Sequence, residues 1–216
     1  MYDLHTHTLL SDGELLPAEL IRRAAVAGYK TLGITDHVDA SNISEIIAAV
    51  AKVRDSAEKY GVDLIPGVEI THVPPTEIAA LAKRAKDEGA ELVIVHGETT
   101  VESVAEGTNM AACSCDDVDI LAHPGMITLK EAAEAKSRDI ALEITSRGGH
   151  NRTNGHVLNI AKEAGCRIVV DSDAHGPGDI MTGDARIAVA RGAGMSVEES
   201  TRVLSQDIRQ WLANRQ

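Results

Sequence analysis

The chain has 216 residues and a formal net charge of −12, a balance that argues against the basic surface a general polyanion binder needs. Phe is absent and Trp occurs once, so Ile, Leu, Val and Ala must fill the core, which suits buried parallel strands packed on Ala-rich helices. Three cysteines make no disulfide framework, and neither a leader-like start nor a membrane-length apolar run is present, so a cytoplasmic protein is expected.

The first apolar run, Met1–His5, is a strand candidate, and Pro17–Ala27 reads as a helix with Pro at its start. Strand Thr31–Thr35 follows. Ser44–Tyr60 then has helical period, with Ile46, Ile47, Val50 and Val53 on one face. Strand Asp63–Val68, helix Pro75–Glu88, strand Leu92–Val95 and strand Ile120–Ala122 come next. After them come helix Leu129–Ser137, strand Ala141–Ile144, helix Asn154–Ala164 and strand Arg167–Val170. Several helices stop at glycine (Gly28, Gly61, Gly89, Gly165), a common helix end. The tail Ser196–Asn214 predicts one or two helices whose stripe of Leu204, Ile208, Trp211 and Leu212 docks on the core.

Strands alternating with helices predict parallel βα units, here in one domain over residues 1–216. Every strand run ends in polar, chemistry-capable residues. A closed barrel gathers all such ends at one mouth, whereas an open sheet has a single crevice. The expected fold is therefore a distorted (β/α)7 barrel, TIM-like, with its site at the C-terminal strand ends.

The candidate residues at those ends are His5, His7, Asp12, His37, Glu69, His96, His123, Asp173 and His175. His5 and His7, two apart in an extended segment, point the same way. Each residue alone has an ordinary reading: a strand-end histidine as a polar cap, Asp12 in Ser-Asp-Gly as a turn. Together they would cost several kcal/mol each, by order of magnitude, if buried without counter-charge. Divalent cations remove that cost, and mixed imidazole and carboxylate ligation suits zinc, manganese or iron. With so many ligands, two to three ions are expected.

The segments HTHTLLSDG, ITDH, PGVE, VIVHGE, ILAHPG and DSDAH, in this order from residue 3 to about 176, closely resemble the motifs of the PHP (polymerase and histidinol phosphatase) family. The barrel amidohydrolases also open with His-x-His, but they typically bridge two metals with a modified Lys, which no strand end here supplies. The resemblance implies a distorted seven-stranded barrel and a trinuclear centre. It implies one ion on His5, His7, Glu69 and Asp173, a second bridged by Glu69 and held by His96 and His123, and a third on Asp12, His37 and His175. The implied activity is phosphoester hydrolysis by a metal-bridging hydroxide, with Glu69, Asp12 and His175 as catalytic positions and a small phosphorylated substrate. Histidinol phosphate is the leading one. Alternatives are a nucleotide or short-oligonucleotide phosphoesterase or exonuclease, and a non-catalytic metal-binding regulatory module. The acidic charge and scarcity of aromatics disfavour long nucleic acid as a partner, and no membrane partner is expected. Oligomeric state is left open.

On the substrate side, Arg147 suits a fork onto phosphate oxygens, with Gly148 and Gly149 allowing close backbone approach. His150, Arg152 and His156 read equally as contacts or as parts of a helix entry. His72 could protonate a leaving group or be a loop histidine. Glu98 and Arg186 are further candidates. Cys113 and Cys115 are too closely spaced for a standard zinc pair and read as structural.

Overall fold

The computed structural model describes residues 1–215. Among these residues eight parallel strands are formed: β1 (Tyr2–Asp3), β2 (Thr31–Ile34), β3 (His37–Val38), β4 (Asp63–Ile70), β5 (Leu92–His96), β6 (Ile120–Ala122), β7 (Ala141–Thr145) and β8 (Ile168–Asp171). Their order is β1-β2-β4-β5-β6-β7-β8. The two-residue β3, absent from the strand expectations, prolongs the β2 line by pairing His37 with Glu69 and Val38 with Ile70. The seven main strands and their helices form a near-closed, distorted TIM-like barrel.

The seam between β1 and β8 lacks a regular ladder. A single bridge joins Thr6 to Ala174. Side chains do the rest: Asp171 Oδ1 accepts the Leu4 amide at 2.8 Å, and Asp3 Oδ1 accepts the Ser172 amide at 3.0 Å.

The period of two along each strand divides the apolar residues into two cores. Leu64, Val68, Val93, Val95, Leu121, Leu142, Ile144 and Val170 face the helices. Tyr2, Leu4, Ile65, Leu92, Ile94, Ile120, Ala122, Ala141 and Val169 form the inner core, together with Ile208, Trp211 and Leu212. Continuing the inward parity up β4, β5 and β7 reaches Glu69, His96 and Glu143. The barrel interior is thus apolar below and ionisable above.

Helices α1 (Pro17–Ala27), α6 (Leu129–Ser137) and α7 (Asn154–Ala164) span the expected residues. Ser44–Tyr60 is not one helix but two, α2 (Ile43–Ala51) and α3 (Arg54–Lys59). Buried Val50 and Ala57 keep one helical spacing across the break, so periodicity alone hides it. The break lets Arg54 reach the Leu64 carbonyl and pair with Glu91. Pro75–Glu77 is a 3-10 turn leading into α4 (Ile78–Asp87). Two helices had no counterpart in the expectations. Helix α5 (Thr108–Cys113) is short, and α8 (Gly183–Gly192) both begins and ends with glycine. Cys113 and Cys115 are buried free thiols, and burial pushes both upward in pKa, as befits packing residues.

The tail forms α9 (Val197–Leu204) and α10 (Ile208–Ala213). Helix α10 closes the bottom of the barrel. Arg209 forks onto Asp63 at 2.6 Å, Arg215 reaches Asp119 at 3.1 Å, and the Trp211 ring donates to the Asp139 carbonyl. These partners lie at or just before the N-terminal strand ends. Among the described residues no helix is long and apolar enough to cross a membrane.

Candidate metal centre

The nine strand-end candidates converge. Four groups have ligand atoms close enough to share an ion: His5, His7 and Glu69; His5, His123 and Asp173; Glu69, His96 and His123; and His7, Asp12, His37 and His175. Glu69 is at the centre. Its Oε2 lies 3.3 Å from His5 Nε2 and 3.5 Å from His7 Nε2, and its Oε1 lies 3.3 Å from His96 Nδ1 and 3.6 Å from His123 Nε2. Asp173 Oδ1 is 3.2 Å from His7 Nε2, and Asp12 Oδ2 is 3.3 Å from His175 Nε2. His7 belongs to the innermost set and to the Asp12 set, so the opening HTH joins two groups.

The interior part of this cluster is buried, while the Asp12 side chain is 55% exposed. Asp12 and His37 open onto a cleft of about 460 Å³, also lined by Asp39, Thr71, His72 and Glu102.

The backbone is bent to aim these groups. His72, His123 and Asp173 hold positive φ (55°, 27° and 52°), a conformation that costs a non-glycine residue of order 1–3 kcal/mol and gathers at functional sites. Two residues after His123, Gly125 (φ 58°) has no room for a side chain: a Cβ there would sit 1.9 Å from the Glu98 carbonyl oxygen. That contact seats the loop after β6 against the loop after β5.

Among the described residues, His5 Nε2, both ring nitrogens of His7 and His96, His123 Nδ1 and both oxygens of Glu69 are buried without a hydrogen-bond partner. His37 Nδ1 approaches Glu69 Oε2 at 2.8 Å, but its ring bond is to Thr71 Oγ1 at 2.7 Å. Buried polar atoms are normally paired, so a donor set left open in this way fits bound divalent cations.

The electrostatics divide the imidazoles: against burial, neighbouring carboxylates raise His5, His37, His96 and His175, while His7 and His123 are lowered. Burial drives His7 and His123 well below the ordinary histidine range, and their neighbours His37 and His96 push the same way. Neutral imidazoles are the ligating form. Burial opposes charge on His37 as well, but Glu69 and Asp12 outweigh it and raise its pKa to about 10. Burial also opposes ionisation of Glu69, yet His5 and His37 hold it well below the carboxylate range.

Three acids support the cluster: Asp36 and Glu143, which the sequence shows as strand-end acids without a defined role, and Asp179, which it does not single out. Asp36 accepts the Thr8 amide and the Ser11 hydroxyl, both at 2.7 Å, and so shapes the loop that delivers Asp12. Glu143 bonds His5 Nδ1 at 2.7 Å and the His123 amide at 2.9 Å. Asp179 Oδ2 accepts the amides of His175 and Gly176 at 3.0 and 2.9 Å. An acid inside the apolar run Ala141–Ile144 was the one visible signal for Glu143.

The proposed substrate contacts divide. Arg147 stands beside the His175 turn, paired to Asp179 at 3.3 Å. His150 is buried, its ring 4.3 Å from that of His123, with Nδ1 unpartnered. His72 stacks over His96 at 5.7 Å and bonds Glu102 at 2.9 Å. Arg152 and His156 are not brought to the cluster. Arg152, in the 3-10 turn His150–Thr153, lines an outer groove with Val189 and Ala193, and His156, in α7, bonds the Ile127 carbonyl at 2.8 Å. Glu98 caps α5 through the amides of Gly107 and Asn109, and Arg186 is buried against the Tyr2 ring.

The chain is 49% identical over 205 residues to an uncharacterized protein of Methanocaldococcus jannaschii, covering 94% of each. It is 44% identical over 75 residues to the 5'-3' exoribonuclease Rnm of Escherichia coli, a match spanning 34% of this chain and only 23% of that enzyme. In fold it superimposes on a chain of an archaeal ribonuclease P assembly with mature tRNA, with a TM-score of 0.74 at 17% identity, covering 100% of this chain and 91% of that one. The PHP domain model matches residues 3–152, and the chain belongs to the PHP family.

Proposed function

We propose that this protein is a metal-dependent phosphoesterase acting on a small phosphate ester. The observation that carries the reading is the set of buried ligand atoms left without partners at the barrel mouth. His5, His7, Glu69 and Asp173 would hold one cation, Glu69, His96 and His123 a second, and Asp12, His37 and His175 a third; zinc, manganese or iron suits such donors. Cations bound there supply neutralisation of phosphate oxygens and a water whose pKa falls to about 7.

The chain's own groups then have defined work. Phosphoryl transfer is mostly positioning and charge stabilisation. Arg147, half-buried and tied to Asp179, exchanges that carboxylate for a phosphate oxygen of the substrate. Glu102 orients His72, which protonates the leaving oxygen from the rim above His96. His150 closes the side of the site over His123.

Histidinol phosphate leads among substrates, since the cleft beside Asp12 and His37 is lined by Asp39 and Glu102 and, among the described residues, by no Lys or Arg. That lining suits an amine-bearing alcohol. A second reading, hydrolysis of nucleotides or short oligonucleotides, is favoured by the local identity to an exoribonuclease. The test is a panel of histidinol phosphate, mononucleotides, nucleoside bisphosphates and short oligonucleotides, run on protein reconstituted with zinc or manganese. Turnover of one class, abolished by chelator and restored by metal, is expected. Full metal loading with no turnover across the panel would make the protein a non-catalytic metal-binding module.

A further inference from the structure

We propose that Glu143 is a positioning residue that keeps His5 and His123, ligands of different metal groups, in ligating form; this rests on the metal-holding reading of the mouth. Glu143 is fully buried on the inward face of β7. Its Oε1 lies 2.7 Å from His5 Nδ1, and its Oε2 accepts the backbone N–H of His123 at 2.9 Å.

The acceptor count decides the role. A carboxylate only accepts, so His5 Nδ1 must carry a proton, and Nε2 is the ring atom available to a metal ion. Nε2 is the atom that faces Glu69 at 3.3 Å and Asp173 at 3.7 Å. The second oxygen satisfies the amide of a residue in left-handed backbone and so offsets part of the strain that aims His123. No other group of that size offers two acceptors to two donors.

Glutamine has the same shape but one acceptor and one NH2 group. The His123 N–H cannot change its polarity, whereas an imidazole can change tautomer. In Glu143→Gln the amide oxygen therefore turns to His123 and the NH2 group to His5 Nδ1. That bares Nδ1 and moves the proton to Nε2, where it blocks ligation. A merely structural glutamate would instead tolerate this substitution with only a loss of stability.

The experiment measures the ring nitrogens of His5 by 15N NMR in metal-free and zinc-loaded full-length protein, with zinc content after dialysis. Wild type is expected to carry a proton on Nδ1 in both states. In Glu143→Gln, Nδ1 is expected bare, with zinc at the groups containing His5 bound about 10- to 100-fold more weakly and zinc at the Asp12, His37 and His175 group retained. An unprotonated Nδ1 in metal-free wild type overturns the proposal without any variant. So does a folded Glu143→Gln that keeps both the Nδ1 proton and wild-type zinc affinity. Wild type that takes up no zinc at these groups defeats the metal-holding reading instead, and the metal-free Nδ1 measurement then still judges Glu143 alone.

Discussion

Two buried carboxylates, Asp119 at the bottom of the barrel and Glu69 at its mouth, sit in opposite circumstances. Asp119 accepts from the Val93 amide at 2.8 Å, from Lys86 at 2.6 Å and from Arg215 at 3.1 Å, so its charge is fully met within the chain. Glu69 is ringed by imidazoles, yet neither oxygen has a hydrogen-bond partner among the described residues. At the bottom, burial comes with pairing and an apolar plug. At the mouth, the cost of burying polar atoms stays uncompensated until a ligand arrives. The difference separates the end that stabilises the barrel from the end proposed to bind metal.

The largest expected effect breaks the bottom alone. Trp211→Ala removes the largest side chain of the plug and should cost about 3–5 kcal/mol of folding stability, read from urea unfolding of metal-free protein. Zinc content at temperatures where the variant is folded should match wild type. A loss of zinc in folded Trp211→Ala would mean the two ends are coupled through the inner core.

The reciprocal change is Glu69→Gln. It keeps the shape of the side chain and removes the charge shared by the inner groups, so phosphoesterase turnover should fall by about 10²–10³ and bound zinc should fall with it. Metal-free unfolding should shift less than in Trp211→Ala. The opposite ranking would make Glu69 a structural counter-charge for the histidines. A smaller effect is expected of Arg147→Ala. Loss of hydrogen bonds to a charged phosphate, about 1.5–3 kcal/mol, should lower kcat/KM by roughly 10- to 100-fold at unchanged zinc content. Loss of zinc would instead place Arg147, through Asp179, in the support of His175.

What the sequence made legible follows the same division. The inner candidate residues were readable because each ends an apolar run, and period two then fixes its side of the sheet: Glu69 follows Ile65 and Gly67, and His96 follows Leu92 and Ile94. The α10 plug was readable as an apolar stripe, though not its place beneath the barrel. The role of the supporting acids was not legible: Asp36 and Glu143 show only as strand-end acids whose bonds span the sheet, and Asp179 as one residue of an irregular turn. Asp36, Glu143 and Asp179 differ in sequence from their contacts by 25 or 28, by 138 or 20, and by 3 or 4 positions, respectively. Arg152 and His156 failed to reach the site for a local reason: a helix entry after Gly149 presents neighbouring side chains in different directions, which spacing from Arg147 does not reveal.

The smallest effect concerns the rim, where contacts belong to neither extreme. The pair of His72 and Glu102 is about half exposed on both sides, so its contribution should stay below about 1 kcal/mol. Burial raises the Glu102 carboxyl, but the hydrogen bond from His72 outweighs it and holds the group below its ordinary value of 4.5. A depressed carboxylate contributes stability that is fully present above the unfolded value and lost as pH falls through the lower folded one. The stability gap between wild type and Glu102→Gln, measured metal-free, should therefore hold steady down to about pH 4.5 and close below it. A gap indifferent to pH in that range would identify the contact as a neutral hydrogen bond. His72 would then lack the carboxylate orientation that its proposed proton delivery requires.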